Sequence, residues 1–558
     1  MSAQALLKRF DIVADQSANI PALRRLVVDL AVRGKLLPTE ELDMDVPEML
    51  RRISAKVNEL ALSGLIKKQK PLSKIGNDEV PAAYLAHCAF ARLGNIANLQ
   101  KGLTGIQSSM PGEYPLVVTA AERGTCDHFD FDGAAAIIPL VSSTGHGNAS
   151  INRLHYQEGK FALGTILCAV LPFDEQLISA RFLYEYLTAF KKELLVSKMI
   201  GTANVTLTLG KIADVPVPIL APAVQKRVDE LMTLCDQLEA AQQERERRRD
   251  RLAAASLQRL NLPAPDATAE AQREHARFHL QNLPRLTTRP EHIKAMRQTV
   301  LALAVRGLLV NQNPEDELAE KLLNRVNNQR VVRRKFANLD LQNPDSSISA
   351  IPSSWTWTVI DRISADSEAS ITDGPFGANL KTEHYIQQPG YRVIRLQNIG
   401  RGYFRNEHLA YVDHERFDLL SKHHVQPGDL VVAGLVDPTV RCAELPKDVG
   451  PALVKADCYR FAVHKEFSTR FALYYLNSPL CQSFATVHHH GMTLTRIGLG
   501  NFRKLPFPLP PLAEQHRIVA KVDELMALCD QLEAQLATTK TDSRRLLEAV
   551  LEAALAPA

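Results

Sequence analysis

Apolar residues recur at alternating steps of three and four in two long segments of the chain, which begin after Pro222 and after Pro511. This spacing is a heptad seam and predicts two long helices. The segment from Pro222 to Leu260 is long enough for roughly 58 Å of helix at ~1.5 Å per residue. Since one chain supplies both helices, they can pair antiparallel. The seam positions are Val228, Leu231, Cys235 and Leu238 in the first segment, and Val522, Leu525, Cys529, Leu532, Leu536, Leu546 and Val550 in the second.

Two shorter segments, Leu23 to Leu37 and Met296 to Val310, also have amphipathic helical spacing. Gly34 and Gly307 lie near their ends and are predicted helix stops. The Pro/Ala-rich stretch from Asn261 to Ala271 predicts a linker or a hairpin connection.

Between the helical segments lie two regions with the alternation typical of mixed α/β domains. Each ends on alternating prolines, which favour an extended backbone and are expected to end regular structure, so they predict a domain boundary. The strand-like runs are Tyr114–Thr119, Ala135–Pro139, Tyr391–Leu396 and Asp429–Ala433, the helix-like runs are Ile178–Leu195 and Ser468–Thr486, and the proline runs are Val215–Pro218 and Leu505–Pro511.

The chain is a tandem repeat. Val228–Ala240 recurs with a single change 294 residues later, and Leu30–Gly34 recurs unchanged at 303–307. Gly201–Leu220 aligns on 491–510 at an offset of 290, so the first copy lacks four residues, about one helical turn. The middle regions, Tyr84–Lys198 and Trp355–His488, show almost no similarity, and the second is about 17 residues longer. Constant ends with a variable middle suggest a fixed scaffold that carries two interchangeable readers.

Composition narrows the class of protein. A chain of 558 residues predicts three to five structural units. No apolar stretch approaches the ~18 residues of a membrane span, and Met1 to Phe10 lacks a signal-peptide core, which predicts a cytoplasmic protein. The eight cysteines are scattered without zinc-site spacing, so we expect free thiols. The net charge of +4 permits nucleic-acid binding without demonstrating it.

Three sequence matches identify a family. Leu505–Val519, followed by a helical segment from Lys521, resembles the passage from recognition domain to coiled coil in specificity subunits of type I restriction–modification enzymes. Leu23–Leu37 with Gly64–Pro71, and Ile351–Trp357 with Ile371–Lys381, are similar to other parts of that family. The first copy departs from the pattern, because it has a shortened Ala221–Lys226 and begins at Val80–Tyr84 without tryptophans.

The resemblance implies an α+β fold: two α/β target-recognition domains joined by long antiparallel coiled-coil helices, in a pseudo-two-fold tandem repeat. The implied division is an N-terminal helical segment 1–75, recognition domain 76–220, central helical region 221–345, recognition domain 346–510 and C-terminal helix 511–558.

The implied function is non-catalytic: to recognise a bipartite, asymmetric sequence in double-stranded DNA and to dock two methyltransferase subunits and the restriction subunits. S-adenosylmethionine, ATP and Mg²⁺ are then expected on those partners, with no cofactor, metal or membrane for this chain. The sequence agrees, since it has no phosphate-binding G-x-x-x-x-G-K-[ST] loop, no strand-flanked G-x-G-x-x-G and no Asn/Asp-Pro-Pro-Tyr/Phe methyltransferase motif. A coiled-coil scaffold without sequence-specific DNA binding is the alternative, and a self-sufficient nuclease or methyltransferase is a weaker third hypothesis.

Candidate DNA contacts follow from donor geometry, because Arg and Lys match guanine and Asn and Gln match adenine. Solvated surface is the alternative interpretation for each residue. The repeated glycines Gly201 and Gly491 precede similar loops, for which phosphate contact is predicted. We interpret His488–His490 as a polar loop rather than a metal site. The candidates are Lys101, Thr104, Gln107 and Ser108 in the first domain, Lys381, Arg395, Gln397, Asn398 and Arg401 in the second, and Thr202, Asn204, Thr493 and Arg496 after the repeated glycines.

Overall fold

A computed structural model forms two compact units, of which unit 1 comprises the chain up to Glu246 together with the residues from Lys540, and unit 2 comprises Arg247–Thr539. No described helix is long and apolar enough to cross a membrane. The structure describes residues 19–64, 66, 72–76, 79–81, 84, 88–107, 109–144, 147–202, 204–261, 268–332, 335–339, 351–375, 377–387, 390–434, 440–487 and 496–555.

Unit 1 contains the first sheet domain, Ala89–Ile219. Two four-stranded sheets form it, with strand orders β2-β9-β6-β7 and β4-β3-β8-β5, and β1 pairs with β10 outside them. The helices are α1 (Ile20–Val32), α2 (Val46–Leu62), α3 (Leu93–Ile96), α4 (Ala180–Ala189), α5 (Lys191–Leu194) and α6 (Leu209–Ala213). The strands are β1 (Ala89–Arg92), β2 (Ala97–Lys101), β3 (Tyr114–Val117), β4 (Gly124–Cys126), β5 (Phe131–Asp132), β6 (Ala135–Pro139), β7 (His155–Gln157), β8 (Lys160–Leu163), β9 (Leu167–Pro172) and β10 (Pro216–Ile219).

Unit 2 contains the second sheet domain, Thr356–Leu509, with strand orders β12-β19-β16-β17 and β14-β13-β18-β15 and an outer pair β11–β20. The helices are α8 (Ala269–Gln281), α9 (Leu283–Leu286), α10 (Pro290–Ala304), α11 (Ala319–Gln329), α12 (Ile360–Ile363), α13 (His414–Leu419), α14 (Thr469–Leu476), α15 (Pro479–Val487) and α16 (Leu499–Lys504). The strands are β11 (Thr356–Val359), β12 (Ile371–Asp373), β13 (Tyr391–Ile394), β14 (Tyr411–Val412), β15 (His424–Val425), β16 (Leu430–Ala433), β17 (Arg441–Glu444), β18 (Ala452–Val454), β19 (Cys458–Phe461) and β20 (Pro506–Leu509).

The two sheet domains have the same topology. In each, one sheet is wholly antiparallel, and the other has a central parallel pair, β3–β8 in the first and β13–β18 in the second. Their sequences are almost unrelated, so the shared fold follows from the pattern of buried positions. The antiparallel sheet has fully buried strands in both domains, since every residue of β6 and of β16 is buried.

The long helices are α7 (Pro222–Asn261) and α17 (Leu512–Leu555). Each is one uninterrupted helix, as the heptad seam predicted. Each begins in one unit and ends in the other. In unit 1, the end of α17 contributes Leu547, which is buried with Leu23 and packs beside Leu238 of α7.

The shorter repeated helices end as predicted. Gly34 has a φ of 63° and Gly307 a φ of 69°, the left-handed region that glycine adopts without strain. The next residue in each closes a Schellman motif, with Lys35 N donating to Leu30 O at 2.9 Å and Leu308 N donating to Leu303 O at 3.0 Å.

Two buried glutamines show where the first copy lacks the four residues that the second copy has. Gln225 of α7 accepts a hydrogen bond from Ser179 N at 2.8 Å, and Gln515 of α17 accepts one from Ser468 N at 2.9 Å. Both glutamines are anchored in the same way, and the four extra residues of the second copy follow Gln515 within α17. Because four residues add close to one turn, the seam keeps its phase.

The proline runs correct one prediction. Instead of ending regular structure, Pro216 and Pro218 lie in β10, which pairs with β1, and β20 pairs likewise with β11. Alternate residues of a strand present their backbone groups to the same side, so both prolines can face away from the partner strand. The outward carbonyl of Pro216 accepts a hydrogen bond from the buried Tyr186 hydroxyl at 3.0 Å, and Tyr475 donates to Pro506 O in the second domain.

Two helix predictions were too long. The run Ile178–Leu195 contains α4 and α5, and the run Ser468–Thr486 is divided between α14 and α15. Pro479 begins α15 because a proline lacks the N–H needed to continue α14 but suits the first turn of a new helix. The predicted linker from Asn261 is also shorter than expected, since α8 begins at Ala269.

Candidate nucleic-acid interface

Four strands of each sheet domain end at the same side, which we call the loop edge. In the first sheet domain these are β2, β3, β6 and β8, and in the second they are β12, β13, β16 and β18. The registers establish this, because Lys101 pairs with Cys168, Pro139 with Leu167, and Val117 with Leu163. Most of the predicted contacts lie on connections that leave this edge.

In the first domain the β2–β3 connection begins with a close approach of two backbone segments. A Cβ on Gly102 would lie 2.2 Å from Gly164 O, so this position requires glycine. Lys101 and Gln107 are exposed. Beside them Leu103 and Ile106 are 71% and 49% exposed, although sequence reasoning did not select them. Ser108 lies outside the described residues.

The structure corrects the prediction that Thr104 contacts DNA. It is 4% exposed, and its hydroxyl donates to Asp130 Oδ2 at 2.8 Å. It also lies 3.0 Å from His128 Nε2. Because these contacts occupy the hydroxyl inside the domain, Thr104 shapes the connection and is not placed to contact DNA.

His128 belongs to a compact group with Cys126 and Asp127, whose donor atoms lie within 4.8 Å of one another. These residue types can bind a metal ion. They also satisfy one another, since His128 Nδ1 lies 2.8 Å from Asp127 Oδ1, and this hydrogen bond lowers the pKa of Asp127. The predicted polar loop His488–His490 lies outside the described residues.

In the first sheet domain, the loop after the repeated glycine lies at the loop edge. Gly201 has a φ of 126° and precedes Thr202 and Asn204, which are exposed. This loop lies beside the end of β6, where Val141 forms an isolated bridge with Thr206.

In the second domain the corresponding segment lies beside the end of β16, with Ile497 N donating to Gly434 O at 3.0 Å. Arg496 pairs with Asp457 at 2.8 Å. Gly491 and Thr493 lie outside the described residues. The described end of this segment therefore lies where the end of the first loop lies, while similar placement of the whole loops and phosphate contact by them remain predictions.

The second domain carries a long β13–β14 connection, residues 395–410, where the first has only residues 118–123. This difference supplies much of the extra length that the sequence predicted. Four candidates lie on the connection, and three of them are accessible: Gln397 is exposed, and Arg395 and Arg401 are half-buried. Lys381 is exposed on another connection, with its Nζ 3.6 Å from Glu383.

The structure also corrects the prediction that Asn398 contacts DNA. Its side chain is fully buried and organises the connection from within. The amide oxygen accepts from Arg395 N at 3.0 Å, and the amide nitrogen donates to Arg405 O at 3.1 Å and Glu407 O at 2.7 Å. With its hydrogen-bonding capacity used on backbone groups, Asn398 cannot recognise an adenine.

Further cations lie near this connection that sequence reasoning missed. Burial, and secondarily the positive charge of Arg441, lowers the pKa of Arg401. Lys455 follows β18 and lies 5.4 Å from the centroid of the Tyr385 ring. Arg405 is exposed on the connection itself. Arg441 and Lys455 are distant from the connection in sequence, so only strand pairing reveals that they share its edge.

Comparison with known proteins shows which proteins the chain is similar to. Two specificity subunits of Escherichia coli type I restriction enzymes, EcoEI and EcoAI, are each 25% identical to the chain, across 96% of its length and 94% of theirs. A model of the type I restriction modification DNA specificity domain matches residues 444–539. The chain is thus similar, along nearly its whole length, to specificity subunits of type I restriction enzymes. The predicted resemblance and the α+β fold class are confirmed, and the scaffold alternative is not supported.

Two solved structures are also similar to the chain. One, from a study of assembly and conformational transition of a type I restriction–modification system, has a TM-score of 0.46 and 16% identity, and covers 84% of this chain and 97% of its own. The HsdS subunit of Thermoanaerobacter tengcongensis has a TM-score of 0.42 and 15% identity, and covers 84% of this chain and 96% of its own. The two curated relatives are named as specificity subunits, the class of protein that the sequence analysis expected.

Proposed function

We propose that the chain recognises a bipartite, asymmetric sequence in double-stranded DNA, with one half-site for each sheet domain. One observation carries this proposal: the two domains have the same topology but different connections at the loop edge. Like scaffolds with unlike connections are suited to binding two different sequences. A pure scaffold would have no use for this difference.

Exposed and half-buried side chains on these connections are suited to both parts of DNA recognition. Lys101 and Lys381 can neutralise phosphates, whereas Gln397 and Arg401 have the donor geometry of base readers. Thr202, Asn204 and Arg496, on the loops after the repeated glycines, are proposed phosphate contacts. Hydrogen bonds to phosphates set position, while those to base edges carry specificity.

The proposal extends to partners. Two methyltransferase subunits dock on the two like helical segments, and restriction subunits complete the complex. S-adenosylmethionine, ATP and Mg²⁺ are bound by those subunits. The repeated helices support this stoichiometry, because they offer the same residues twice. We also place the chain in the cytoplasm, which agrees with its eight free cysteines.

The test is a map of methylated bases in the host genome, made with the chain present and with it deleted. We expect one asymmetric motif, made of two half-sites and an unrecognised spacer, to lose methylation on deletion and to regain it on complementation. A continuous motif, a palindrome or an unchanged map would contradict the proposal.

A further inference from the structure

We infer that Arg405 reads a guanine in the half-site of the second sheet domain, and that Tyr403 positions it. The inference rests on the proposed function and assigns one base contact within it. Both residues lie on the β13–β14 connection, and neither was selected from the sequence.

The connection is rigid at the base of these two residues. Ile399 and Phe404 form an antiparallel bridge, and Gly400 N donates to Tyr403 O at 2.9 Å, which closes a tight turn. Gly402 N then donates to Cys442 O at 2.9 Å, which fixes the turn to the edge strand β17.

Further hydrogen bonds hold the returning half of the connection. Besides the three made by Asn398, Arg405 N donates to Asn398 O at 2.8 Å. Arg395 donates to His408 O, and Arg392 donates to Glu407 O at 3.2 Å. The backbone from which Arg405 projects is therefore held on both sides, which a base reader needs for precise placement.

The two side chains form a pair in solvent. An Arg405 Nη2 hydrogen donates to the Tyr403 hydroxyl at 2.9 Å, and the guanidinium carbon lies 5.4 Å from the ring centroid. Tyr403 is nevertheless 54% exposed, and Arg405 is exposed as well. Gly400 makes this possible, because a Cβ there would lie 2.7 Å from the ring.

This pairing matches what guanine recognition requires. A guanidinium group has five N–H donors in a planar fork, and the bond to Tyr403 uses one. The remaining donors can bind O6 and N7, the two acceptors that guanine presents in the major groove. Because the ring already restrains the fork, less rotamer entropy is lost on binding.

The first sheet domain has no such reader at the matching place. In its β3–β4 connection, residues 118–123, the arginine turns inward. Arg123 lies 2.9 Å from His155 Nδ1 and donates to Tyr156 O at 3.2 Å. Burial, with the charge of Arg123, lowers the pKa of His155 to about 4, so the neutral ring accepts the hydrogen bond. The inference is therefore specific to the second half-site.

The experiment uses the full chain reconstituted with its methyltransferase subunits, and duplexes that carry the mapped motif. Each guanine of the second half-site is replaced in turn by 7-deazaguanine, which lacks the N7 acceptor. That half-site is the one left unchanged when the first sheet domain is exchanged. Methylation rates are measured at limiting enzyme and subsaturating DNA.

We expect one replacement to lower the rate of the unmodified chain by about tenfold, the effect of losing a good base contact. Arg405→Ala should lower the rate on the natural duplex by a similar factor and should be insensitive to that replacement. Arg416→Ala is the matched control, because Arg416 lies on α13 at the opposite end of the same sheet, and it should behave like the unmodified chain.

Tyr403 is tested as a positioning residue. Tyr403→Phe keeps the ring and should lower the methylation rate about threefold, and the rate should still depend on the same guanine. Tyr403→Leu should lower the rate further and weaken its dependence on that guanine. A merely structural role would lower the rate on every duplex alike.

Two outcomes would overturn the inference: an Arg405→Ala chain that stays sensitive to the same replacement, or one whose rate falls equally on duplexes of any sequence. In either case the bipartite motif would still stand. Absence of any motif that depends on this chain would instead contradict the proposed function.

Discussion

The two sheet domains differ in what they expose at the loop edge: the first has Leu103 and Ile106 beside Lys101, and the second has a group of cations beside Tyr403 and Leu409. Leu103 and Ile106 project from the first, and Arg405 projects from the second with Arg441 and Lys455 nearby. Apolar groups suit the methyl group of thymine, and cationic donors suit guanine and phosphate. The comparison teaches that the chemistry of recognition resides in the connections, since the strands that carry them are the same.

Behind the connections the two units repeat contacts atom for atom. Arg24 pairs with Asp236 at 2.6 Å and with Glu239 at 3.1 Å, and Arg297 makes the matching pairs with Asp530 and Glu533 at 2.6 and 3.0 Å. The two units thus share the same half-exposed ion pairs, which involve no residue of the connections.

Exchange of a whole reader is the largest test of this difference. Replacing Tyr84–Lys198 by the corresponding residues of another family member should replace one half-site completely, leaving the spacer and the other half-site unchanged. Methylation mapping of the exchanged strain measures all three at once. A changed spacer with both half-sites intact would mean that recognition and scaffold are not divided in this way.

An ion pair that only unit 1 has at this position should make unit 1 lose stability at acid pH in a way that unit 2 does not. The guanidinium of Arg92, which is 3% exposed, binds Glu79 through two bonds of 2.6 and 2.7 Å and lowers the pKa of Glu79 to about 2. Val359 occupies the matching end of β11 in unit 2. Since the folded pKa is depressed, the stabilisation is present above the unfolded value of ~4.3 and is lost as the pH falls towards 2.

Glu79→Gln should therefore lower the free energy of unfolding of unit 1 by about 2–3 kcal/mol at pH 7, and by much less at pH 2. Hydrogen exchange followed by mass spectrometry can measure each unit separately in the full chain. Equal loss in both units, or a loss that is the same at both pH values, would contradict the assignment.

Replacing the repeated arginines, Arg24 and Arg297, should have the smallest effect on stability, and the effect should be nearly equal in the two units. Their partners are half exposed, so Arg24→Ala and Arg297→Ala should each cost about 0.5–1 kcal/mol of local stability, with neither half-site changed. The same hydrogen-exchange measurement applies, with Arg227→Ala as an exposed control on α7. Unequal losses of stability would show that the ion pairs of Arg24 and of Arg297, although alike in geometry, differ in their surroundings.

Prediction from the sequence was best where local pattern suffices. The heptad seam predicted α7 and α17, and the glycines that end α1 and α10 were identified because a left-handed residue after a helix favours glycine. The β-strands Ala135–Pro139 and Leu430–Ala433 were found from continuous apolar runs. Prediction failed for Pro216 and Pro218, because which side of a strand faces a partner depends on a pairing distant in sequence.

At the interface, residue type alone did not separate contact residues from structural ones. Asn398 and Thr104 have suitable donors, but only their burial and hydrogen bonds show that those donors are occupied. Arg405 and Tyr403 were missed for the converse reason, since nothing in their spacing distinguishes an exposed pair from ordinary surface.

The sequence by itself determined the family, the repeat, the long helices and the position of the variable regions, because these depend on identity and periodicity along the chain. Only the tertiary structure decided that two unrelated middle regions share one topology and that their connections meet at one edge. Strand order and side-chain burial arise from contacts between residues far apart in sequence. A single sequence records which residues are present and not which of them meet.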